Sequence, residues 1–216
     1  MRGPQNAMRR QGLRLGLLGA AWVFWGGCSD APRAPRMPPV DPAAIAQEAV
    51  SRYDANSDGK LDAKELETSP ALSALLLTVK KHDAGHADSL TAADIAARVG
   101  AWKEGGAVLL GGGTRVTLDG KRLEGALVTW EPEPYLGPTY HPSSGTTNSD
   151  GYAAIASALE CLPGIYPGLY TVRISKKVEG QETIPACYNE KSTLGREVAR
   201  DVPDIDRVFI FSLKSK

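Results

Sequence analysis

Oxygen-bearing side chains recur at alternate positions of one twelve-residue stretch. Four are carboxylates, one is an amide, and a glycine stands at the sixth position. The candidate metal ligands are Asp54, Asn56, Asp58, Lys60 (through its backbone carbonyl), Asp62 and Glu65. Calcium is a hard cation that binds about six to eight oxygens at roughly 2.3–2.6 Å. The spacing therefore predicts a calcium site, in which Gly59 allows the sharp turn and Glu65 supplies two oxygens.

We call residues 54–65 the acidic loop. Its sequence resembles the EF-hand loop at every ligand position, which implies Ca²⁺ as the bound ion. Leu61, at the eighth position, is expected to point into a core. The alternative is a solvated turn rich in Asp, Asn and Gly that binds no ion.

The flanking residues predict the helices that would position this loop. Asp41-Pro42 is a helix start signal, with an N-cap oxygen followed by proline at the first helical position. The predicted helix runs to Tyr53, just before the loop, and Ser69-Pro70 predicts the start of another. Dockerin modules use a similar loop but lack the helix before it, so the EF-hand interpretation is preferred.

Residues 83–94 align with the acidic loop as a second, weaker copy, which we call the second loop. It keeps acids at its first and last positions, Asp83 and Asp94, but lacks side-chain oxygens at the third and fifth. The resemblance implies an EF-hand pair, residues 41–104, whose second loop has lost most of its ligands. Leu61 and Leu90 are expected to pair the two loops in a short bridge.

Two further patterns involve the second loop. Thr91 and Asp94 predict a capping box for a last helix over residues 92–102. His82 and His86 allow a zinc interpretation, since this spacing on a helix places two imidazoles on one face. The loop alignment argues against a helix there, and a tetrahedral zinc site needs more ligands than these two.

The N-terminal residues predict export. Residues 1–14 contain four arginines and no acid, and the following thirteen residues carry no charge. Small residues precede Cys28, which resembles a bacterial lipobox and implies a diacylated Cys28 after removal of signal residues 1–28. The alternative is a signal peptide that is cut elsewhere. The resemblance implies lipid anchoring to a bacterial membrane, periplasmic or at the cell surface, with proline-rich residues 29–40 as a tether.

A change to period-two alternation begins after the glycine-rich linker, residues 105–113. Short alternating runs and Gly-containing turns predict an antiparallel β-sandwich of six to eight strands over residues 114–216. The expected fold class is therefore α+β in two units, a helical pair followed by the sandwich.

Four segments of this part resemble the carboxypeptidase regulatory-like, or transthyretin-like, β-sandwich, an immunoglobulin-like architecture. They are Val116–Lys121, Leu123–Thr129, Gly145–Gly151 and Pro167–Ile174. Residues 184–189 and 194–195 also resemble exported planctomycete proteins. The resemblance implies a non-catalytic module of cell-surface and regulatory proteins, and it assigns no ligand.

Cys161 and Cys187 remain as an even pair if Cys28 is lipidated. An oxidising compartment favours a disulfide between them, and two buried thiols are the alternative.

The segment 132–144 is predicted to be a long loop with Tyr135, Tyr140 and His141 near its tip. It is the best candidate for a surface that binds a protein or glycan partner, and the alternative is an unpacked loop without a role. Glu131 and Glu133 are predicted to lie on a solvated strand edge.

The function that follows is a calcium-binding, lipid-anchored envelope protein with a non-catalytic binding or structural module. No motif of hydrolases, zinc proteases or nucleotide-binding enzymes is present, so no enzymatic activity is expected. The balanced charge, 25 basic against 25 acidic residues, disfavours nucleic acid as a partner. The alternative is a calcium-dependent switch, or an accessory module that recruits a protein or glycan.

Overall fold

The computed structural model describes residues 36–106, 109–111, 113–157, 162–202 and 208–215. These residues belong to one compact unit, which holds both helices and sheets and has an α+β fold. In this part of the chain, none of the helices has the length and apolar character needed to cross a membrane.

The four helices lie in the first half of the described chain. They are α1 (Pro42–Tyr53), α2 (Ala63–Leu66), α3 (Pro70–His82) and α4 (Ala92–Glu104). The predicted starts of α1 and α3 are confirmed: Asp41 and Ser69 cap them, and a proline follows each cap. The Thr91–Asp94 capping box of α4 is also confirmed. That helix ends two residues later than predicted.

Thirteen strands are found among the described residues. In chain order they are β1 (Lys60–Leu61), β2 (Leu90–Thr91), β3 (Gly113–Leu118), β4 (Lys121–Arg122), β5 (Leu127–Pro132), β6 (Ser143–Thr146), β7 (Tyr152–Ala154), β8 (Ala156–Ser157), β9 (Gly168–Ser175), β10 (Lys177–Val178), β11 (Gln181–Glu182), β12 (Gly195–Val198) and β13 (Val208–Leu213). Eleven of them follow residue 112, so the prediction of six to eight strands was too low. Several of the additional strands are two-residue pieces that carry no period-two signal.

The acidic loop and the second loop are joined by β1 and β2. These strands are antiparallel, with Leu61 opposite Leu90 and Lys60 opposite Thr91. Both leucines are fully buried in the core that the helices share. The predicted bridge between the two loops is therefore confirmed. The backbones of the two loops are directly connected through this strand pair.

The larger sheet has the strand order β12-β9-β5-β6-β8, and all of its pairs are antiparallel. In the smaller sheet, β3 pairs with β4 and β7 on one side and with β13 on the other. The β3–β13 pair is parallel, so the expectation of purely antiparallel pairing was wrong. These two strands lie far apart in sequence, and no hairpin forces them to be antiparallel.

Aromatic side chains from the two sheets meet in one core. Trp130 of β5 is fully buried, and its ring centroid lies 4.7 Å from that of Phe209 and 6.0 Å from that of Phe211, both on β13. Its indole N–H donates to Thr114 of β3 at 3.2 Å, so the one polar atom of the ring is satisfied.

The helices pack directly against the larger sheet. Gly195 at the start of β12 lies against the first turn of α3, where a Cβ atom would collide with the Pro70 carbonyl. Such close approach of two backbones is available only to glycine. Before α1, Met37 and Val40 also pack against the core, although the sequence predicts a tether with little to bury.

Two predictions for the strand region were wrong. Glu131 and Glu133 were expected on a solvated edge, which is wrong for Glu133, only 6 % exposed, whereas Glu131 lies past the last β5–β6 pair with its side chain 40 % exposed. Tyr135 and Tyr140 were expected at a loop tip, yet both are buried, and the Tyr140 hydroxyl donates to the Pro167 carbonyl at 2.9 Å. Burial of these large rings stabilises the core, which leaves half-buried His141 alone of the three near the surface.

Candidate metal centre and the adjacent cleft

The backbone of the acidic loop turns sharply between α1 and α2. Gly59 has φ +81°, the left-handed region that glycine adopts at least cost, and Ser57 has φ +60°. The four-residue helix α2 begins at Ala63 and includes Glu65, the last residue of the acidic loop.

Side-chain oxygens at the first and third positions of the acidic loop bind its own backbone amides. Asp54 accepts from the amides of Asp58 (3.2 Å) and Gly59 (2.9 Å), and Asn56 accepts from the Asp58 amide at 2.9 Å. Asp58 in turn accepts from the Lys60 amide at 3.1 Å. These contacts hold the oxygen-bearing side chains against the turn of the loop.

Glu65 closes the loop from its last position. It is 7 % exposed, and its Oε1 accepts from the amides of Ala55 (2.8 Å) and Asn56 (3.2 Å) near the loop's start. Its Oε2 accepts from the Asp62 amide at 2.9 Å, while the Asp62 side chain caps α2. One carboxylate therefore joins both ends of the loop.

The chemistry of the donor set fits calcium, because every side-chain donor is an oxygen and four are carboxylates. In the described residues, however, no three histidine, cysteine or acidic side chains are grouped as metal ligands would be. The acidic-loop oxygens bind amides instead. The residues that would hold the ion are Asp54, Asn56, Asp58, Asp62 and Glu65, with the Lys60 carbonyl.

Charged side chains of the second loop form ion pairs with other side chains of the protein. Lys80 pairs with Asp88, and His86 Nε2 lies 3.1 Å from Asp94 Oδ1. His82 faces a different acid, Asp201, at 3.3 Å. The two histidines thus have separate partners, and the structure does not bring them together as the zinc interpretation requires.

A cleft of about 290 Å³ lies next to the acidic loop, between the helices and the larger sheet. Tyr53, the last residue of α1, lines it together with Glu133 and Thr171. The Tyr53 hydroxyl donates to Glu133 Oε2 at 3.2 Å, and Thr171 Oγ1 donates to Glu133 Oε1 at 2.7 Å. Burial raises the pKa of Glu133 against the opposing effect of these two hydrogen bonds.

A second polar cluster joins α4 to β12. Arg98 donates to Glu197 through Nε (3.0 Å) and Nη2 (2.6 Å), and to Asp201 through Nη1 (2.7 Å). The Trp102 indole N–H donates to the same Glu197 oxygen at 2.8 Å. This cluster was not predicted from the sequence. A signal was present, since Arg98 stands beside Val99 on the apolar stripe of the helix.

The cysteine predictions fall largely outside the described residues. Cys28 and Cys161 both lie outside them, so lipidation and the disulfide stay predictions. Cys187 lies exposed in a short 3₁₀ turn, Ala186–Tyr188, and no disulfide joins it to another described residue.

Comparison with known proteins adds no assignment. No protein-family model matches the chain, and no curated protein matches it.

Proposed function

We propose that this chain is a calcium-binding, lipid-anchored protein of the bacterial cell envelope, with a non-catalytic binding or structural module. The helical part, residues 41–104, acts as an EF-hand pair with one calcium site, in the acidic loop. The strand part acts as a transthyretin-like β-sandwich. The N-terminus is exported and anchored through Cys28.

The observation that carries the proposal is the acidic loop itself. Four carboxylates and one amide lie on the twelve residues that lead from the end of α1 into α2, and the last carboxylate, within α2, reaches back to the first residues of the loop. Within the described chain, the one ion pair to a carboxylate of the loop is that of exposed Lys60, whose Nζ lies 3.8 Å from Asp58, while Lys64 of the loop forms none. Concentrated negative charge of this kind is relieved by a divalent cation.

Calcium has a structural role in this proposal. An ion that binds only the folded state stabilises it by an amount that grows with the ion's concentration. Extracellular calcium sites typically bind at about 10⁻⁴–10⁻³ M, so the site would be filled constitutively outside the cell. The switch alternative requires a helix rearrangement, which the short helix α2 and the lack of methionine after Met37 disfavour.

The test compares melting temperatures with and without calcium. We expect millimolar calcium to raise the melting temperature of the unaltered protein, and the double variant Asp54→Ala, Glu65→Gln to abolish that rise. The matched control is Asp83→Asn, at the first position of the second loop, which should keep the full response. An unchanged calcium response in the double variant would remove the site from the acidic loop.

A further inference from the structure

Glu133 is a buried carboxylate with no cationic partner among the described residues. Among the donors that the structure describes, its two oxygens accept hydrogen bonds only from the neutral hydroxyls of Tyr53 and Thr171. No lysine, arginine or histidine nitrogen in this part of the chain forms an ion pair with it. Buried charges are ordinarily paired, as Glu197 is with Arg98.

The cleft offers space directly at this carboxylate. Its volume of about 290 Å³ lies just below the range for small-molecule pockets, roughly 300–1,000 Å³. A single long side chain entering end-on fits that size better than a large ligand. The Tyr53 ring lies in the same wall, and an aromatic ring beside a carboxylate favours a cation.

The protein cations around the cleft form no ion pair with Glu133. The charge of Arg52 lowers the pKa of Glu133 from a distance, but Arg52 Nη2 is bonded to Glu48 at 2.9 Å. Arg173 Nε donates to Glu131 at 2.5 Å, and Arg173 Nη1 donates to the carbonyls of Asn189 (2.6 Å) and Glu190 (2.8 Å). Lys191 lines the rim but is exposed to solvent. The charge of Glu131 is thus balanced within the wall, while that of Glu133 is not.

We propose that this cleft binds an alkylammonium or guanidinium group, which docks on the Glu133 carboxylate. The group belongs either to a lysine or arginine side chain of a partner peptide or to a free amine. The inference rests on the binding-module part of the proposed function, for which it names the ligand chemistry. It does not require calcium in the acidic loop.

The experiment titrates small probes into the purified protein and measures their binding by calorimetry and by NMR. Each titration is done once in EDTA and once in calcium. Nα-acetyl-lysine amide should bind, and the uncharged analogue Nα-acetyl-norleucine amide should bind at least tenfold more weakly. Glu133→Gln should weaken binding of the lysine probe at least tenfold. The control Glu124→Gln, at an exposed acid, should leave it unchanged.

Two further measurements are made on the unaltered protein. One distinguishes a free amine from a peptide side chain as the ligand, and the other locates the bound probe without relying on a variant that could misfold. Tighter binding of 1,4-diaminobutane than of the lysine probe supports a free amine, and the reverse order supports a peptide. In the unaltered protein, the lysine probe should shift the NMR signals of Tyr53 and Thr171, whatever the folding of the variant.

The proposal is overturned if the norleucine analogue binds as tightly as the lysine probe, or if folded Glu133→Gln binds like the unaltered protein. Probe-induced shifts confined to residues outside the cleft also overturn it. Because binding is measured in EDTA, these outcomes are distinct from a failure of the calcium proposal.

Discussion

His86 has an acceptor at each ring nitrogen. Nδ1 lies 2.9 Å from the Ala87 carbonyl, and Nε2 lies 3.1 Å from Asp94. Only the doubly protonated imidazolium can donate both hydrogen bonds at once. A protonated histidine therefore supplies the positive charge beside the final acid of the second loop.

The pKa values of His86 and Asp94 are shifted in the directions that keep both groups charged. The hydrogen bond to Ala87 and the one to Asp94 raise the pKa of His86 above 6.5. Partial burial would raise the pKa of Asp94, but hydrogen bonds from Thr91 and His86 lower it below 3.8. The pair therefore stabilises the folded state fully between pH 3.8 and pH 6.5. The contribution of His86 is lost as pH rises through its raised folded-state pKa.

The variant His86→Gln tests this titration. We expect it to unfold more easily than the unaltered protein at about pH 5.5, and the difference should shrink toward about pH 8.5 as His86 loses its proton. Urea unfolding in EDTA measures the difference at each pH. The control is His141→Gln, because His141 has no acidic partner within the described chain. A difference independent of pH would contradict the prediction.

At the scale of elements, helix α4 is joined to the larger sheet by a buried ion pair. Its inner face carries Ile95, Val99 and Trp102, all buried, and Arg98 lies among them at 9 % exposure. A buried arginine is stable only with a partner, and Glu197 on β12 supplies it at 2 % exposure. Packing of α4 on the sheet therefore also brings the buried Arg98 to its partner Glu197.

Removing one member of the pair should be costly. Arg98→Met leaves Glu197 buried without a cation, and we expect the free energy of unfolding to fall by about 3–5 kcal/mol. The double variant Arg98→Met, Glu197→Met should recover much of that loss, because no unpaired charge remains.

Urea unfolding at pH 7 measures both effects, with Arg52→Met as the matched control. Arg52 forms an exposed pair with Glu48 at 2.9 Å, so its loss should cost no more than about 1 kcal/mol. Equal losses for Arg98→Met and Arg52→Met would show that the pair does not anchor α4.

At the scale of the whole molecule, the helical and strand segments meet at polar as well as apolar contacts. The division into two domains with a glycine-rich linker stays a prediction. Two buried carboxylates, Glu133 and Glu197, each receive a hydrogen bond from the helical segment, from Tyr53 and Trp102 respectively. An ion bound in the acidic loop would stabilise α1, and through Tyr53 the wall of the cleft.

The location of the whole protein depends on its N-terminus. If Cys28 is the lipidated first residue of the mature protein, mass spectrometry of the protein from a membrane fraction should find a diacylated Cys28. A second acyl chain makes membrane attachment stable, so Cys28→Ser should release the protein from the membrane. An unmodified mature N-terminus at any other residue would refute the anchor.

Local features were predictable from the sequence because local physics controls them. The caps Asp41, Ser69 and Thr91 were correct, since a side-chain oxygen followed by helix-forming residues satisfies free amides wherever it occurs. The turns at Asp119-Gly120 and Glu179-Gly180 are local in the same sense, since both residues of each pair have positive φ and glycine favours that conformation. Boundaries such as the end of α4 were less accurate.

The sequence by itself determined the helix starts, the turns, the Leu61–Leu90 bridge and the set of oxygen donors in the acidic loop. Only the tertiary structure decided that β5 is a central strand, that β13 runs parallel to β3, and which side chains line the cleft. Tyr53 meets Glu133 and Arg98 meets Glu197 across long stretches of chain. Such long-range contacts depend on the order of the strands and on how the helices pack against the sheet. The local pattern of residues does not encode either of these.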